Sequence, residues 1–446
     1  MPPGLEAITA APMPAHRDEW EYRVLAHPRL LREIAEHVDG PFHLLYPERV
    51  TRNIRSFQRV FAHKGVVGAI YYGKKANKSP AIVRACVAAG VGVDVSSPGE
   101  LRAALRGGVA GRDLMVTGPA KSYELLVLAA RHEAVIAIGD LDELAHLAAL
   151  GLPARIVLRA LPPHSTSRFG MTGNELDLAA LTLVHNSRIR LEGYSFHLRG
   201  YEVAARAELA ADLIRRCREA RVLGHPVTTL SIGGGFGVDY VPAAAWKTFR
   251  AGVNPEWFHA GHAPRPDSYY PYHCPVPGAA MLAAILDHGD LAAHLRAAGI
   301  RLAIEPGRAL LDRAGSTVFA VQGVKTRTAE GHPYRILTVN GTSLSVSEQW
   351  FGTEYLPDPV LWPELPGTVT PSCVGGASCL EDDMISWRRI PLPRPAEKDD
   401  LLIYPNTAGY QMDSNESEFH ELPIPPKVVL RPGDGERPFI WEPDGP

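Results

Sequence analysis

The sequence predicts an α/β fold: a (β/α)8 barrel joined to a second, all-β C-terminal domain. Three observations predict it. Between about residues 48 and 310, short β-rich runs ending in Gly or a polar residue alternate with amphipathic stretches rich in Ala, Leu and Arg, the pattern of parallel strands linked by crossover helices. Polar residues gather at the C-terminal ends of those runs, the barrel face that carries chemistry. After about 310 the helical period gives way to spaced β-like runs separated by Pro, Gly and Asn.

Taken in order, residues 1–47 have no barrel partner and are expected to join the β domain. A helix at about 49–64 precedes the first strand. The eight expected strands are 68–76, 92–97, 114–119, 135–140, 155–161, 190–200, 228–236 and 301–310, with helices such as 78–90, 98–108, 121–133 and 202–224 between them. Eight strands with intervening helices favour a closed barrel over a doubly wound sheet. Residues 238–278 break the rhythm with aromatics, Pro and Gly, and are expected to form an insertion on the active face of the barrel domain, 48–310. The C-terminal domain, 311–446, contains the runs TVFAVQGV, YRILTVNGT, DLLIYPNT and KVVLR, and its last segment, RPGDGERPFIWEPDGP, reads as an irregular tail.

Composition narrows the function classes. With 446 residues, 46% hydrophobic and 21% charged, the chain can bury a large core and is neither collagen-like nor disordered. Lys and Arg total 46 against 49 Asp and Glu, a net charge of -3, which leaves no cationic excess for nucleic acid. No apolar run approaches the roughly 18–20 residues that span a bilayer, and the first segment lacks the basic start and apolar stretch of a secretion signal. The five cysteines, Cys86, Cys217, Cys274, Cys373 and Cys379, are odd in number and scattered, which points to reduced thiols and a cytoplasmic protein.

Four short motifs carry chemistry. Lys75, in Tyr72-Gly73-Lys74-Lys75-Ala76-Asn77, sits where a partly desolvated barrel mouth makes a lysine easy to deprotonate and able to form a Schiff base; standing alone, the motif is a solvated basic pair. Gly233, Gly234 and Gly235 close the seventh strand, and residues without a Cβ let backbone N–H groups approach an anion; a plain tight turn is the alternative. In Glu305-Pro306-Gly307-Arg308, a carboxylate at the mouth can keep a pyridine nitrogen protonated, while Arg308 and the Gly307 amide can extend an anion cradle; a surface ion pair explains the tetrapeptide equally well. His197, near the end of the sixth strand, can lie flat over a conjugated ring or be an ordinary polar residue. His259, His262, His273 and Cys274 in the insertion match no structural zinc spacing, so no metal is expected.

In order, Tyr72-x-x-Lys75-Ala76-Asn77, Phe196-His197-x-x-Gly200, Gly233-Gly234-Gly235-Phe236 and Glu305-Pro306-Gly307-Arg308 resemble the fold-type III pyridoxal-phosphate decarboxylases, the family of diaminopimelate and ornithine decarboxylases. The resemblance runs from about residue 42 to 430. Gly376-Ala377-Ser378-Cys379-Leu380-Glu381-Asp382-Asp383 looks like the family's cysteine segment and Ala408-Gly409-Tyr410 like its phosphate-side tyrosine. It implies an alanine-racemase-type barrel and a pyridoxal 5'-phosphate cofactor. Lys75 rather than Lys74 would be the Schiff-base residue, with His197 on the ring face and Glu305 at the ring nitrogen. Gly233, Gly234, Gly235, Gly307, Arg308 and Tyr410 would surround the phosphate, Asp94 and Arg159 would belong to the polar network, and Cys379 would act as a proton donor near Cα. The family's head-to-tail homodimer pairs the lysine of one chain with the cysteine segment of the other. The activity implied is decarboxylation of a small-molecule amino acid.

Two departures concern the substrate. Familiar members follow the cysteine with an acid that holds a distal ammonium, whereas Leu380 stands here; Glu381 can substitute after a local shift, and Asp383 keeps the spacing of the second acid. The family's His-x-Gly-Ser becomes His197-Leu198-Arg199-Gly200, which removes a hydroxyl and adds Arg199. A lost acid and a gained arginine suggest a substrate with an anionic or conjugated far end, as in siderophore-pathway members of the family; Arg199 turned outward or paired with a local carboxylate is the alternative. A racemase is disfavoured by the carboxylate of Glu305. A pyridoxal-phosphate-binding regulatory protein without turnover is disfavoured by the joint presence of Lys75, Glu305 and Cys379.

Overall fold

A computed structural model of the chain describes residues 9–163, 165–265, 268–329, 331–346, 354–413, 418–434 and 437–445. Its contacts define two compact units: one of Val50–Gly237 and Val276–Leu310, the other of the residues up to Arg49, Val238–Pro275 and Leu311–Gly445. Residues 1–8 of the expected N-terminal segment and 266–267 of the expected insertion lie outside the described residues.

The first unit is a closed barrel of eight parallel strands: Gly68–Gly73, Gly92–Val95, Leu114–Val116, Val135–Ile138, Ala154–Arg159, Ile189–Ser195, Thr229–Ser231 and Arg301–Ile304. The last pairs with the first, Ala69 opposite Ala303. Tyr71, Met115, Val135, Ala137, Val157 and Ala303 fill part of the interior, so the barrel is a packed core. The sequence sets where helices begin. After successive strands Ser79, Ser97, Ser122, Asp140 and Thr172 each accept a backbone N–H of the following turn, from Ile82, Glu100, Leu125, Glu143 and Glu175 respectively. Pro80 and Pro98 occupy first-turn positions where no N–H is needed. Each cap fixes the short loop between strand end and helix start, the part of a barrel that presents functional groups.

The strands end sooner than expected. The run predicted as 228–236 forms a ladder only over Thr229–Ser231, because Gly233 and Gly235 take positive φ values of 69 and 77 that no extended strand accommodates. Lys75 similarly lies in a 3-10 turn, Lys74–Ala76, just past its strand.

The second unit is a nine-stranded mixed sheet. Gly315–Ala329 runs through its middle, antiparallel to Phe42–Leu45, His332–Val339 and Leu401–Tyr404. The N-terminal helices Glu19–Ala26 and Leu30–Val38 contribute Trp20, Val24, Leu31 and Ile34 to a core shared with Val318, Ile403, Val428 and Leu430.

Two expectations are corrected here. Residues 238–275 group with this sheet rather than with the barrel domain. Their aromatic content explains it: Phe258 is buried and bridges Arg388, the His259 ring nitrogen Nδ1 lies 2.8 Å from the Tyr334 hydroxyl, and His262 stacks on Trp387 at 4.3 Å. The C-terminal segment is not irregular throughout, since Phe439–Pro443 pairs antiparallel with Lys427–Pro432 and places Trp441 opposite Leu430. Several Pro and Gly residues around that short strand hid it from periodicity.

Candidate active site

At the C-terminal ends of the barrel strands a cavity of about 260 Å³ is lined by Lys75, Thr117, Arg159, His197 and Glu305, among others. The Tyr-x-x-Lys-Ala-Asn motif explains how Lys75 arrives there. The buried Tyr72 hydroxyl donates to the Asn77 carbonyl (2.9 Å), and the Asn77 side-chain oxygen accepts the Ser79 N–H (3.0 Å). The turn between them is thereby fixed, and its two lysines diverge. Lys74 is only 3% exposed and reaches the Lys78 carbonyl at 3.1 Å, whereas the accessible Lys75 lines the cavity.

Lys75 Nζ lies 3.8 Å from a carboxylate oxygen of Asp94, which is 2% exposed. Burial pushes the Asp94 pKa up to about 7, with Lys75 opposing the rise and Glu305 adding to it. The Thr117 hydroxyl donates to the other Asp94 oxygen at 2.6 Å. Glu305 is likewise raised by burial, and the Ser231 hydrogen bond, Lys75 and Arg159 oppose that rise. The Ser231 hydroxyl donates to Glu305 Oε1 (2.6 Å) and accepts the Gly233 N–H (3.2 Å). One side chain thus joins the carboxylate to the glycine turn.

That turn admits no side chain. A Cβ on Gly233 would stand 2.6 Å from the Phe196 carbonyl oxygen, and one on Gly234 would stand 2.7 Å from that of Glu305. The Gly234 N–H donates to His197 Nδ1 at 3.3 Å, which leaves the ring proton on Nε2. The ring is open to the cavity but walled by protein. That burial, with the charges of Lys75, Arg159 and Arg206, pushes its pKa down to about 4, so the imidazole is neutral at pH 7. Arg159 lies over the Phe169 ring at 4.8 Å. Arg308 is buried in the 3-10 turn Arg308–Leu310 that follows the Glu305-Pro306-Gly307 step.

Of the sequence-predicted residues, the structure therefore brings Lys75, Asp94, Arg159, His197, Gly233, Gly234 and Glu305 together at one barrel end. Arg199 is exposed on the loop after the sixth strand and does not line the cavity. Cys379, Glu381, Asp383 and Tyr410 belong to the β unit. There the Cys379 sulfur is exposed and lies 3.2 Å from His420 Nε2, and Tyr410 adopts a positive φ of 70. Asp383 is buried, and its two oxygens accept the N–H groups of Ser343 (2.7 Å) and Ser378 (3.0 Å). It braces its own loop, whereas Glu381 is exposed. Among the described residues no cluster of three or more His, Cys, Asp or Glu is set to hold a metal ion, and no helix is long and apolar enough to cross a membrane.

Sequence reasoning missed Thr117, Ser231 and the buried pair Lys121–Glu143. Thr117 meets Asp94 because the Thr117 N–H extends the ladder to Val95, a neighbourhood that only strand pairing creates. Ser231 was visible two residues before the glycines, where a hydroxyl can reach back to a turn N–H. The Lys121 side chain is 1% exposed and donates to Glu143 (3.1 Å) and to the Ala137 and Gly118 carbonyls. It ties the loops after the third and fourth strands together.

These groups fit pyridoxal phosphate. The cavity holds an amine, a buried carboxylate already given a hydrogen bond, a neutral imidazole, and beside them a turn whose backbone leaves no room for a Cβ. The sequence model of the pyridoxal-dependent decarboxylase pyridoxal-binding domain matches residues 48–255. An uncharacterized protein, y4yA, of Sinorhizobium fredii is 39% identical over 420 residues, covering 90% of each chain. A diaminopimelate decarboxylase of Actinosynnema pretiosum is 26% identical over 429 residues, covering 90% of this chain and 86% of the other. The chain belongs to the fold-type III pyridoxal-phosphate-dependent decarboxylase family. The fold of this decarboxylase-family chain agrees: the crystal structure of diaminopimelate decarboxylase from Helicobacter pylori complexed with L-lysine is similar to it with a TM-score of 0.73 at 18% identity, over 93% of this chain and 95% of that one.

Proposed function

We propose that this protein is a pyridoxal-phosphate-dependent amino-acid decarboxylase whose substrate has an anionic or conjugated distal end. The observation that carries the activity is the placement of the Lys75 amine and the Glu305 carboxylate on one cavity next to a glycine turn. Lys75 would hold the cofactor aldehyde, Glu305 its ring nitrogen, His197 its face, and Gly233–Gly235, Gly307, Arg308 and Tyr410 its phosphate. When bound, pyridoxal phosphate supplies an electron-withdrawing ring that accepts the electron pair left by a broken bond to Cα.

The chain's own residues do the rest. Asp94 places a carboxylate 3.8 Å from the Lys75 amine, a counter-charge whose own pKa burial raises to about 7. The Ser231 hydrogen bond favours the ionised form of Glu305 and so opposes the rise that burial imposes. His197 offers a neutral ring, which avoids setting a second cation against the Lys75 ammonium. In this proposal Cys379 of a second copy delivers a proton to Cα, as the active sites are shared across a homodimer. Its exposure, and the 53% exposure of the apolar Leu380 beside it, suit a loop that a second copy covers. The four other thiols are buried and free, which supports a cytoplasmic setting.

The distal-end reading draws on the cysteine segment itself. Leu380 carries no charge, and Asp383 is occupied by two backbone N–H groups, so neither is available to hold a distal ammonium. Arg199 lies outside the cavity lining, so in this reading it would meet an anionic distal end that projects beyond the cavity mouth. Arg199→Ala should lower kcat/KM for substrates with a distal carboxylate and leave those with a distal amine unchanged; equal effects on both would overturn this specificity.

The activity is tested by absorption spectra before and after borohydride, with the reduced adduct located by peptide mass, followed by a screen of amino acids for carbon dioxide release and Cα hydrogen exchange. An adduct on Lys75, retained in Lys74→Ala and lost in Lys75→Ala, together with carbon dioxide release, is expected. Cα exchange with inversion and no carbon dioxide would identify a racemase instead, and neither reaction would leave a regulatory protein.

A further inference from the structure

Arg206 lies in the first turn of the helix Val203–Val222, which follows the loop after the sixth barrel strand. It has 0% exposure, which makes it one of the largest fully buried side chains of the protein. Its guanidinium donates to three main-chain carbonyls: Leu198 at 3.0 Å, Gly200 at 2.8 Å and Glu202 at 3.3 Å. Among the described residues Arg206 makes no ion pair, and its Nε has no hydrogen-bond partner. Neutral carbonyls satisfy N–H groups but supply no full counter-charge, and burial of the guanidinium outweighs the attraction of Tyr201 and Glu202, which make no ion pair with it; a buried cation in that state is costly and favours a nearby anion.

The position of that charge narrows what would compensate it. A Cβ on Gly235 would stand 2.2 Å from Arg206 Nη2, so the guanidinium is packed against the Cα of the third glycine of the turn. The same cation ties Leu198 and Gly200 of one loop to the glycine turn of the next.

We propose that Arg206 is the buried positive charge of an anion subsite at the Gly233–Gly235 turn, acting on a phosphate held there and positioning the turn's backbone for it. This rests on the proposed function only in taking that phosphate to be the cofactor's. Arg206 is a positioning residue and makes no contact with reacting atoms.

The test titrates the full-length chain, stripped of cofactor, with pyridoxal phosphate and with pyridoxal, which lacks the phosphate, following absorbance, with melting temperature as a check on folding. In Arg206→Met the affinity for pyridoxal phosphate should fall at least about tenfold while that for pyridoxal changes less than about twofold. Arg206→Lys should recover most of the difference, because it restores a charge at the same place. If both ligands weaken equally, or neither does, Arg206 is a loop staple and the proposal fails. Should Arg206→Met not fold, Arg206→Gln against Arg206→Lys decides by the same ratio. A wild-type chain that binds neither aldehyde would overturn the proposed function itself, a result separable from a wild-type chain that binds both alike, which would overturn only the phosphate subsite.

Discussion

Removing the Ser231 hydroxyl tests the idea that one hydrogen bond opposes the rise that burial imposes on the Glu305 pKa. Ser231→Ala deletes a 2.6 Å donor to Glu305 Oε1 and an acceptor 3.2 Å from the Gly233 N–H. A hydrogen bond to a charged group contributes about 1.5–3 kcal/mol, and one pKa unit corresponds to about 1.4 kcal/mol. Losing a donor to the carboxylate disfavours its ionised form by about 1.5–3 kcal/mol, so the Glu305 pKa, already raised by burial, should rise further. Carbon-13 NMR of the glutamate carboxyl carbons, with Glu305→Gln assigning the resonance, reads this midpoint without any substrate. Ser231→Thr keeps the hydroxyl and should titrate close to wild type. A midpoint that stays in place or moves down in Ser231→Ala would refute the reasoning, because Lys75 and Arg159 alone would then oppose the rise that burial imposes.

Three further outcomes are expected. His43, 1% exposed and bonded to Thr317, has its pKa pushed down to about 3 by burial and then by Lys427. The unfolded chain therefore takes up the proton first, and the stability that neutral His43 gives is complete above its unfolded pKa near 6.5 and lost as pH falls toward 3, by at most about 5 kcal/mol. Glu21, raised to about 7 by burial, acts in the opposite sense: its protonated form favours folding, and stability falls as pH rises from 4.5 toward 7. Denaturant unfolding at pH 4 to 7 should show the acid-side loss reduced in His43→Gln, and identical profiles would count against the assignment. Arg388, 0% exposed between Glu354 (3.0 Å) and Asp358 (2.7 Å), should cost about 3–5 kcal/mol when replaced by Ala, since buried carboxylates lose their partner; urea unfolding measures it, and a loss below 1 kcal/mol would contradict the burial. Gly234→Ala places a Cβ 2.7 Å from the main-chain oxygen of Glu305, which cannot swing aside as a side chain can, so pyridoxal phosphate affinity in an absorbance titration should fall; unaltered affinity would show that the turn is not part of the cradle.

Much of this protein was legible from local rules. Each of the eight barrel strands overlaps one of the β-rich runs that predicted it, because strand period is short-range. The motifs around Lys75, Gly233 and Glu305 were legible for the same reason: a turn that needs glycine, or a lysine held between Tyr72 and Asn77, is specified within a few residues. The sheet domain was less readable. Met384–Leu392 holds Trp387, Arg388 and Arg389, and its Arg388 is buried only because Glu354 and Asp358 meet it from elsewhere in the chain. Residues 238–275 showed their aromatic character in sequence but not their partners, Tyr334 and Trp387.

The sequence by itself determined the alternation of strand and helix, the lysine, the glycine turn and the carboxylate, since each depends on neighbours along the chain. Tertiary structure alone decided that Thr117 holds Asp94, that Ser231 joins Glu305 to the glycines, that Asp383 braces its own loop, and that Arg206 is a buried cation held by main-chain carbonyls. Each of these depends on burial and on contacts between residues brought together by strand pairing and loop packing. Burial sets the cost of a charge, and no local pattern of residues encodes it.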